Sequence, residues 1–173
     1  MAGVNSETLK RLLDTHSAAL VLYARQWCNT PEDIVQDVFL LLMREAASPD
    51  NTVGWLYRAV RNKAMNAARS SRRRAHHEAQ AAHHGEPWLA ASEADRLDAV
   101  AAAQALADLP LEQREAIVAR LWGGLSLQET AQLMGASLST AYRRYQQGIA
   151  ALRERLEGKC LETKTQQQTS SPS

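Results

Sequence analysis

At 173 residues and a formal net charge of +1, the chain has room for one domain or two small ones and no overall electrostatic bias toward a polyanion. Hydrophobic residues make up 45% and aromatics only 5%, Ala and Leu dominate, and alternating β-branched runs are missing; this excludes a β-rich fold and predicts an all-α one. No apolar run reaches the roughly 18–20 residues of a membrane span, no secretory signal is visible, and Cys28 and Cys160 lack metal or redox spacing, so a cytoplasmic protein with free thiols is expected.

The first predicted helix covers residues 5–27, with Leu9, Leu12, Leu13, His16, Leu20, Tyr23 and Trp27 at helical spacing. His16 on that stripe reads as a packed core histidine. In "TPEDIVQDVFLLLMRE", Thr30 is a candidate cap, Pro31 suits the first helical position, and Glu32 and Asp33 suit the positive end of the dipole. Ile34, Val35, Val38, Leu41 and Leu42 are expected inside, with Asp33, Gln36, Asp37 and Glu45 outside. "ASPDNTVG" breaks the pattern as a polar loop.

A third helix starts near Thr52 or Val53, with Val53, Leu56, Val60, Ala64 and Ala67 as its inner stripe. Arg58, Arg61, Arg69 and Arg72 lie opposite, within a wedge of about 80°. Arg58 to Arg74 holds seven basic residues and no acidic one, whereas Pro31 to Asp50 holds five acidic residues and one basic. An acidic element is thus followed by a basic one.

Residues 76–91, "HHEAQAAHHGEPWLAA", read as a linker. The His pairs at 76–77 and 83–84 suit a transition metal as ligand types, but no Cys or carboxylate pattern completes a site, so no metal is expected. Ser92 with Asp95 then resembles a capping box, Pro110 breaks the next helix, and another runs from Leu111 to a Gly-Gly stop.

"LSLQETAQLMGASLSTAYRRYQQGIAALRERL" carries the most specific signal. Ser126 and Glu129 form a capping box, Leu127, Ala131, Leu133 and Met134 face inward, and Gly135 supplies a left-handed stop. Ser137 caps a second helix on which Ala141, Tyr145, Ile149, Leu152 and Leu156 share a stripe. Ser137, Ser139, Thr140, Arg143 and Gln147, with Arg144 on the flank, are then placed to meet base edges and phosphates. The outline is a helix-turn-helix. The same face read alone is also compatible with plain solvation.

These residues carry a resemblance. The chain resembles an extracytoplasmic-function (ECF) sigma factor, the two-domain minimal class of bacterial RNA polymerase sigma subunits, over most of residues 5–157. "EDIVQDVFLLL" and "GWLYRAVRNKAMNAARSSRRR" look like the two front blocks of that family, and "LADLPLEQREAIVARLWGGLSLQETAQLMGASLSTAYRRYQQGIAALRERL" is similar to its −35-binding domain. The resemblance implies two small helical domains, residues 1–75 and 92–158, with 159–173 as a disordered tail. It implies that Asp33, Gln36 and Asp37 dock on the β′ clamp helices of the polymerase core, with the β flap a further contact.

It also implies that the loop Ser48 to Gly54, with Asp50, Asn51 and Thr52 as polar groups, captures a flipped −10 base. Trp55 and Leu56 match the anchor of the following helix, Asn62 and Arg69 match its Asn and Arg, and Thr140 and Arg144 match the recognition-helix Thr and Arg. Asn66, Thr130 and the run Ala141-Tyr142-Arg143 depart from the usual pattern, so the −35 sequence preference does not carry over. Promoter DNA, the core enzyme and an anti-sigma protein are the implied partners.

Independent chemistry agrees: the Arg wedge can hold phosphates, and a helix-turn-helix arginine can read guanine. No Gly-rich phosphate loop, nucleophile–base pair or metal signature suggests an enzyme or a cofactor. Two other readings are weighed: a stand-alone helix-turn-helix regulator, which needs no arginine wedge in front, and a protein-binding adaptor, which needs no basic face. Each half is only about 65 residues, small enough to be marginal alone, and the halves are expected to stay mobile until a partner fixes them.

Overall fold

The computed structural model describes residues 4–75 and 104–168, with side chains through Arg73 and Glu157 respectively. Helix α1 (Ser6–Ala24) starts where the Asn5 side chain accepts a hydrogen bond from Thr8 N at 2.7 Å. It closes earlier than its stripe predicted, because Gln26 N and Trp27 N bond back to Tyr23 O and Ala24 O and tighten the last turn. Trp27 still packs on the cluster, its ring edge-on to Tyr23 at 4.9 Å.

Helix α2 (Pro31–Arg44) has Pro at its start and Glu32 and Asp33 in its first turn, while the Thr30 hydroxyl makes no capping bond. Val35, Val38, Phe39 and Leu42 are buried, but Leu41, expected inside, is 40% exposed. Helix α3 (Thr52–Ala75) is opened by Asn51, whose Oδ1 accepts from Gly54 N at 2.8 Å. It buries Leu56, Tyr57, Val60 and Ala64, and α1, α2 and α3 pack pairwise on one another. Full burial of side chains such as Leu20, Leu42 and Leu56 is worth about 1.5–3 kcal/mol each.

After a helical stretch at 104–107, Pro110 precedes helix α4 (Leu111–Ile117). Residues Val118–Trp122 continue it as a π turn, closed by Gly123 N bonding Val118 O at 2.9 Å, and Gly124 at φ +64° ends it. The expected Gly-Gly stop is therefore present, with a wider last turn than an α-helix has. Helix α5 (Leu127–Met134) shows the complete capping box of Ser126 and Glu129, and Gly135 at φ +63° closes it. Buried Thr130 stays satisfied by donating to Ser126 O at 2.9 Å.

Helix α6 (Leu138–Gln168) is capped by Ser137, whose Oγ accepts from Thr140 N at 3.2 Å. It crosses α4 at Gly148, where a Cβ would lie 2.7 Å from Ile117 Cδ1. Its helical backbone reaches Gln168, ten residues into the stretch expected as a disordered tail; Leu161, Glu162, Lys164 and the Gln run are all good helix formers.

The two domains meet in one hydrophobic cluster. Leu20, Tyr23, Leu42, Leu56 and Val60 join Leu106, Ile117, Val118 and Leu133 in a single cluster, and α1 touches the π turn while α3 touches α5. The linker at 76–91, its His pairs and the Ser92–Asp95 capping box lie outside the described residues.

Candidate nucleic-acid and polymerase interfaces

The helix-turn-helix forms as its sequence predicts. Ser139 and Arg143 are exposed, Gln147 is exposed one turn further, and Thr140 and Arg144 are half-buried at the flank. Ser137 Oγ lies 3.1 Å from Ser139 Oγ and 2.8 Å from Thr140 Oγ1, so these hydroxyls form one cluster at the N-terminus of α6. Ala141 is fully buried, and Tyr145 packs under the Arg120 guanidinium at 5.6 Å. Leu138 and Tyr142, four apart and both about half exposed, add an apolar edge to this polar face. Their exposure was not legible from spacing, because both sit at the flank of the stripe.

On α3 the arginines divide. Arg58, Arg69 and Arg72 are exposed and Asn62 joins them, as the wedge required. Arg61 turns away: its Nε donates to Glu115 Oε1 at 2.6 Å, with the Glu side chain only 4% exposed. Tyr23 donates its hydroxyl to the same oxygen at 2.8 Å. Burial raises the Tyr23 phenol well above its ordinary value, and the Glu115 charge raises it further. Burial alone would lower the Arg61 pKa, but the hydrogen bond and charge of Glu115 win and raise it. An ion pair at this depth is costly to break from one side, by about 3–5 kcal/mol, because the remaining charge stays buried.

The loop before α3 is also engaged. Thr52 Oγ1 donates to Pro49 O at 3.0 Å, and Asp50 is exposed. Asn51 uses Oδ1 to cap α3 and donates from Nδ2 to Glu129 Oε1. Glu129 Oε2 accepts from Ser126 N at 2.6 Å; hydrogen bonds with Ser126 are the main reason its carboxyl titrates below the ordinary range. Trp55 is half-buried and packed against the core, which fits an anchor.

Helix α2 presents a third surface. Asp33, Gln36 and Asp37 are exposed, with Asp37 paired to Lys63 at 2.9 Å. Leu40, Leu41 and Met43 continue that face, Met43 at 57% exposure. An acidic strip that runs into apolar side chains suits a protein partner and repels a phosphate backbone. His16 is half-buried and its pKa is lowered by burial, as a packed histidine requires. Burial also raises the thiol of Cys28, which is free. Among the described residues no group of three metal-ligating side chains comes together, and no helix is long and apolar enough to cross a membrane.

A helical protein with one basic helix face, one acidic-apolar helix face and a helix-turn-helix combines surfaces suited to nucleic acid with one suited to a protein partner. Residues 12–74 match the family model "Sigma-70 region 2" and residues 99–152 match "Sigma-70, region 4", together more than half of the chain. The chain belongs to the sigma-70 family, in its ECF form: it is a sigma factor that serves RNA polymerase core at promoter DNA. Among solved structures it is similar to CnrH in complex with the cytosolic domain of CnrY, at 26% identity, TM-score 0.60, over 89% of this chain and 90% of that one. It shares its fold with the sigma factor RpoE in complex with the anti-sigma factor NepR from Bartonella quintana, at 21% identity, TM-score 0.64, over 88% and 98%. No match was found among curated protein sequences.

Proposed function

We propose how this sigma factor divides its work. Asp33, Gln36 and Asp37, extended by Leu40, Leu41 and Met43, hold the β′ clamp helices, and the back half meets the β flap. Asp50, Asn51 and Thr52 take an extruded −10 base, while Arg58, Arg61, Asn62, Arg69 and Arg72 follow the phosphate backbone. Ser137, Ser139, Thr140, Arg143, Arg144 and Gln147 read the −35 duplex. The observation that carries this division is the segregation of charge: the exposed face of α2 is acidic and apolar, whereas that of α3 is basic. Two adjacent helices of opposite character serve two different partners.

The working units are residues 1–75 and 92–158, joined by 76–91. The protein does no chemistry of its own; the polymerase does. It acts in the cytoplasm, and an inhibitory anti-sigma protein is a fitting partner, since both solved relatives above were captured with a bound protein. Run-off transcription with purified bacterial core polymerase and a library of promoter fragments tests the reading. Transcripts are expected only when the protein is added, and the triple variant Asp33→Ala, Gln36→Ala, Asp37→Ala should abolish them together with core binding. Full core binding by the triple variant would overturn the assignment of α2.

A further inference from the structure

The exposed face of α6 carries more than the polar residues assigned to the −35 duplex. Leu138 and Tyr142 are each 52% exposed, and Gln146 is exposed one turn further on. Residues four apart stand one above the other on a helix, drifting by about 40° at each step. The face is therefore two parallel rows. Ser139, Arg143 and Gln147 form one, and Leu138, Tyr142 and Gln146 form the other. The second row begins apolar.

Packing within the chain gives that apolar pair no role. The inner side of α6 is made by buried Ala141 and Gly148 and by Tyr145, Ile149 and Leu152, which pack on the core cluster. Leu138 and Tyr142 do not join that cluster. Their surroundings say what kind of surface covers them. From Ala136 to Arg153 the chain has three arginines and no acidic residue, and the first turn of α6 has no acid against the positive end of its dipole. The hydroxyls of Ser137, Ser139 and Thr140 cluster at the same helix end. An anionic partner with an apolar feature fits this edge, and the edge is continuous with the row that meets the duplex.

The major groove of DNA offers one such feature, the C5-methyl group of thymine. All other base identities are displayed there as hydrogen-bond donors and acceptors, which a leucine and a tyrosine ring cannot use. A helix seated in the groove brings its N-terminal residues to the base edges, which is where Leu138 and Tyr142 lie. They are about 6 Å apart along the helix axis, against about 3.4 Å per base pair, so the pair spans one or two base steps.

We propose that the Leu138–Tyr142 edge of α6 reads thymine methyl groups in the −35 element. It rests on the −35 assignment made above and supplies part of the sequence preference that this assignment leaves open. The row of Ser139, Arg143 and Gln147 selects by hydrogen bonds, and the row beside it selects by apolar contact. Tyr142 acts through its ring and not through its hydroxyl. Each methyl contact is worth about fourfold in affinity, enough to rank promoters and too little to define one alone.

The test alters the DNA first. Deoxyuridine in place of thymidine keeps the base pair and the O4 acceptor and removes only the methyl group. A promoter obtained from the run-off library is rebuilt with each −35 thymidine replaced in turn, and the full chain with core polymerase is titrated to half-maximal transcription. For the wild-type chain, uracil at one or two positions should raise the required concentration about fourfold. Tyr142→Ala or Leu138→Ala should abolish that difference, so that thymine and uracil promoters respond alike, and Tyr142→Phe should retain it. All three substitutions change half-exposed side chains outside the core cluster, and the wild-type arm requires no variant.

A −35 element without thymine, or uracil without effect at every thymine, overturns the methyl reading and leaves the sigma-factor reading standing. So does a uracil effect that survives unchanged in both alanine variants. Loss of the effect in Tyr142→Phe assigns the contact to the hydroxyl and overturns it too. No transcript from any fragment removes the sigma-factor reading, and the methyl reading with it.

Discussion

Helices α3 and α6 both carry arginines that we propose meet DNA, yet they stand in different states. On α6, Arg143 is exposed and lies beside a cluster of hydroxyls that belong to its own helix terminus. On α3, Arg58, Arg69 and Arg72 are exposed but Arg61 is committed to a buried carboxylate from the other half. A basic residue at the right helical angle is therefore not always an available one. Its state depends on which neighbour reaches it first, and sequence spacing is silent on that.

The sharpest way to break this contrast is to compare two arginines three residues apart. Arg61→Ala leaves Glu115 buried without its cation and should destabilise the chain by about 3–5 kcal/mol. Arg58→Ala, on the exposed side, should stay within about 0.5 kcal/mol. Denaturant melts of both variants measure this, and equal losses would mean that the two arginines share one environment.

Next in size is base reading by α6. Arg143→Ala should cost about 1–3 kcal/mol of discrimination at one −35 base pair, read from transcription of single-base promoter variants. Arg58→Ala, Arg69→Ala and Arg72→Ala should instead weaken all promoters alike. Each should also reduce the slope of log affinity against log salt by about 0.9. A sequence-dependent loss from the α3 variants would erase the distinction between a reading face and a gripping face.

Ser126→Ala is expected to cost about 1 kcal/mol, the usual loss for a removed cap. It also acts through pH. The Glu129 carboxyl titrates below the ordinary carboxylate range in the folded chain, so it contributes stability above that range and loses the contribution as pH falls through the lower folded value. Removal of the Ser126 hydroxyl, one of the causes of the shift, should make acid melting less steep; an unchanged profile would show that Glu129 is held elsewhere. The smallest effect belongs to Tyr142→Ala, which should weaken preference at a thymine by less than about 1 kcal/mol through loss of an apolar contact with its methyl group.

Local signals made much of this legible. The Ser126–Glu129 box, the left-handed Gly135 and the Ser137 cap are settled by bonds within four residues, so the sequence contains their whole cause. Helical periodicity alone places Asp33, Gln36 and Asp37 outside, where they are exposed. What stayed hidden depends on contacts across the chain. Glu115 looks like any surface glutamate of "LEQREAI", and only its meeting with Tyr23, 92 residues earlier, buries it.

Gly148 reads as an ordinary weak spot in a helix until Ile117 is found against it. Leu41 falls among the residues expected inside because α2 is apolar over much of its circumference, and no periodicity shows which arc will lack a neighbour. Across the π turn at Val118–Trp122, Val118 is fully buried while Trp122 is 41% exposed, and the residues themselves give no sign of the change in pitch.

Asn51 divides one carboxamide between two tasks. Its oxygen stays at home and holds Gly54 N, while its nitrogen reaches across to Glu129. The first bond spans three residues and needs nothing from the back half. The turn ahead of α3 thus carries its own fastening, and the rotamer and backbone freedom of this edge are surrendered within it. A ligand arriving there would meet an ordered rim and have no loop to tame before binding.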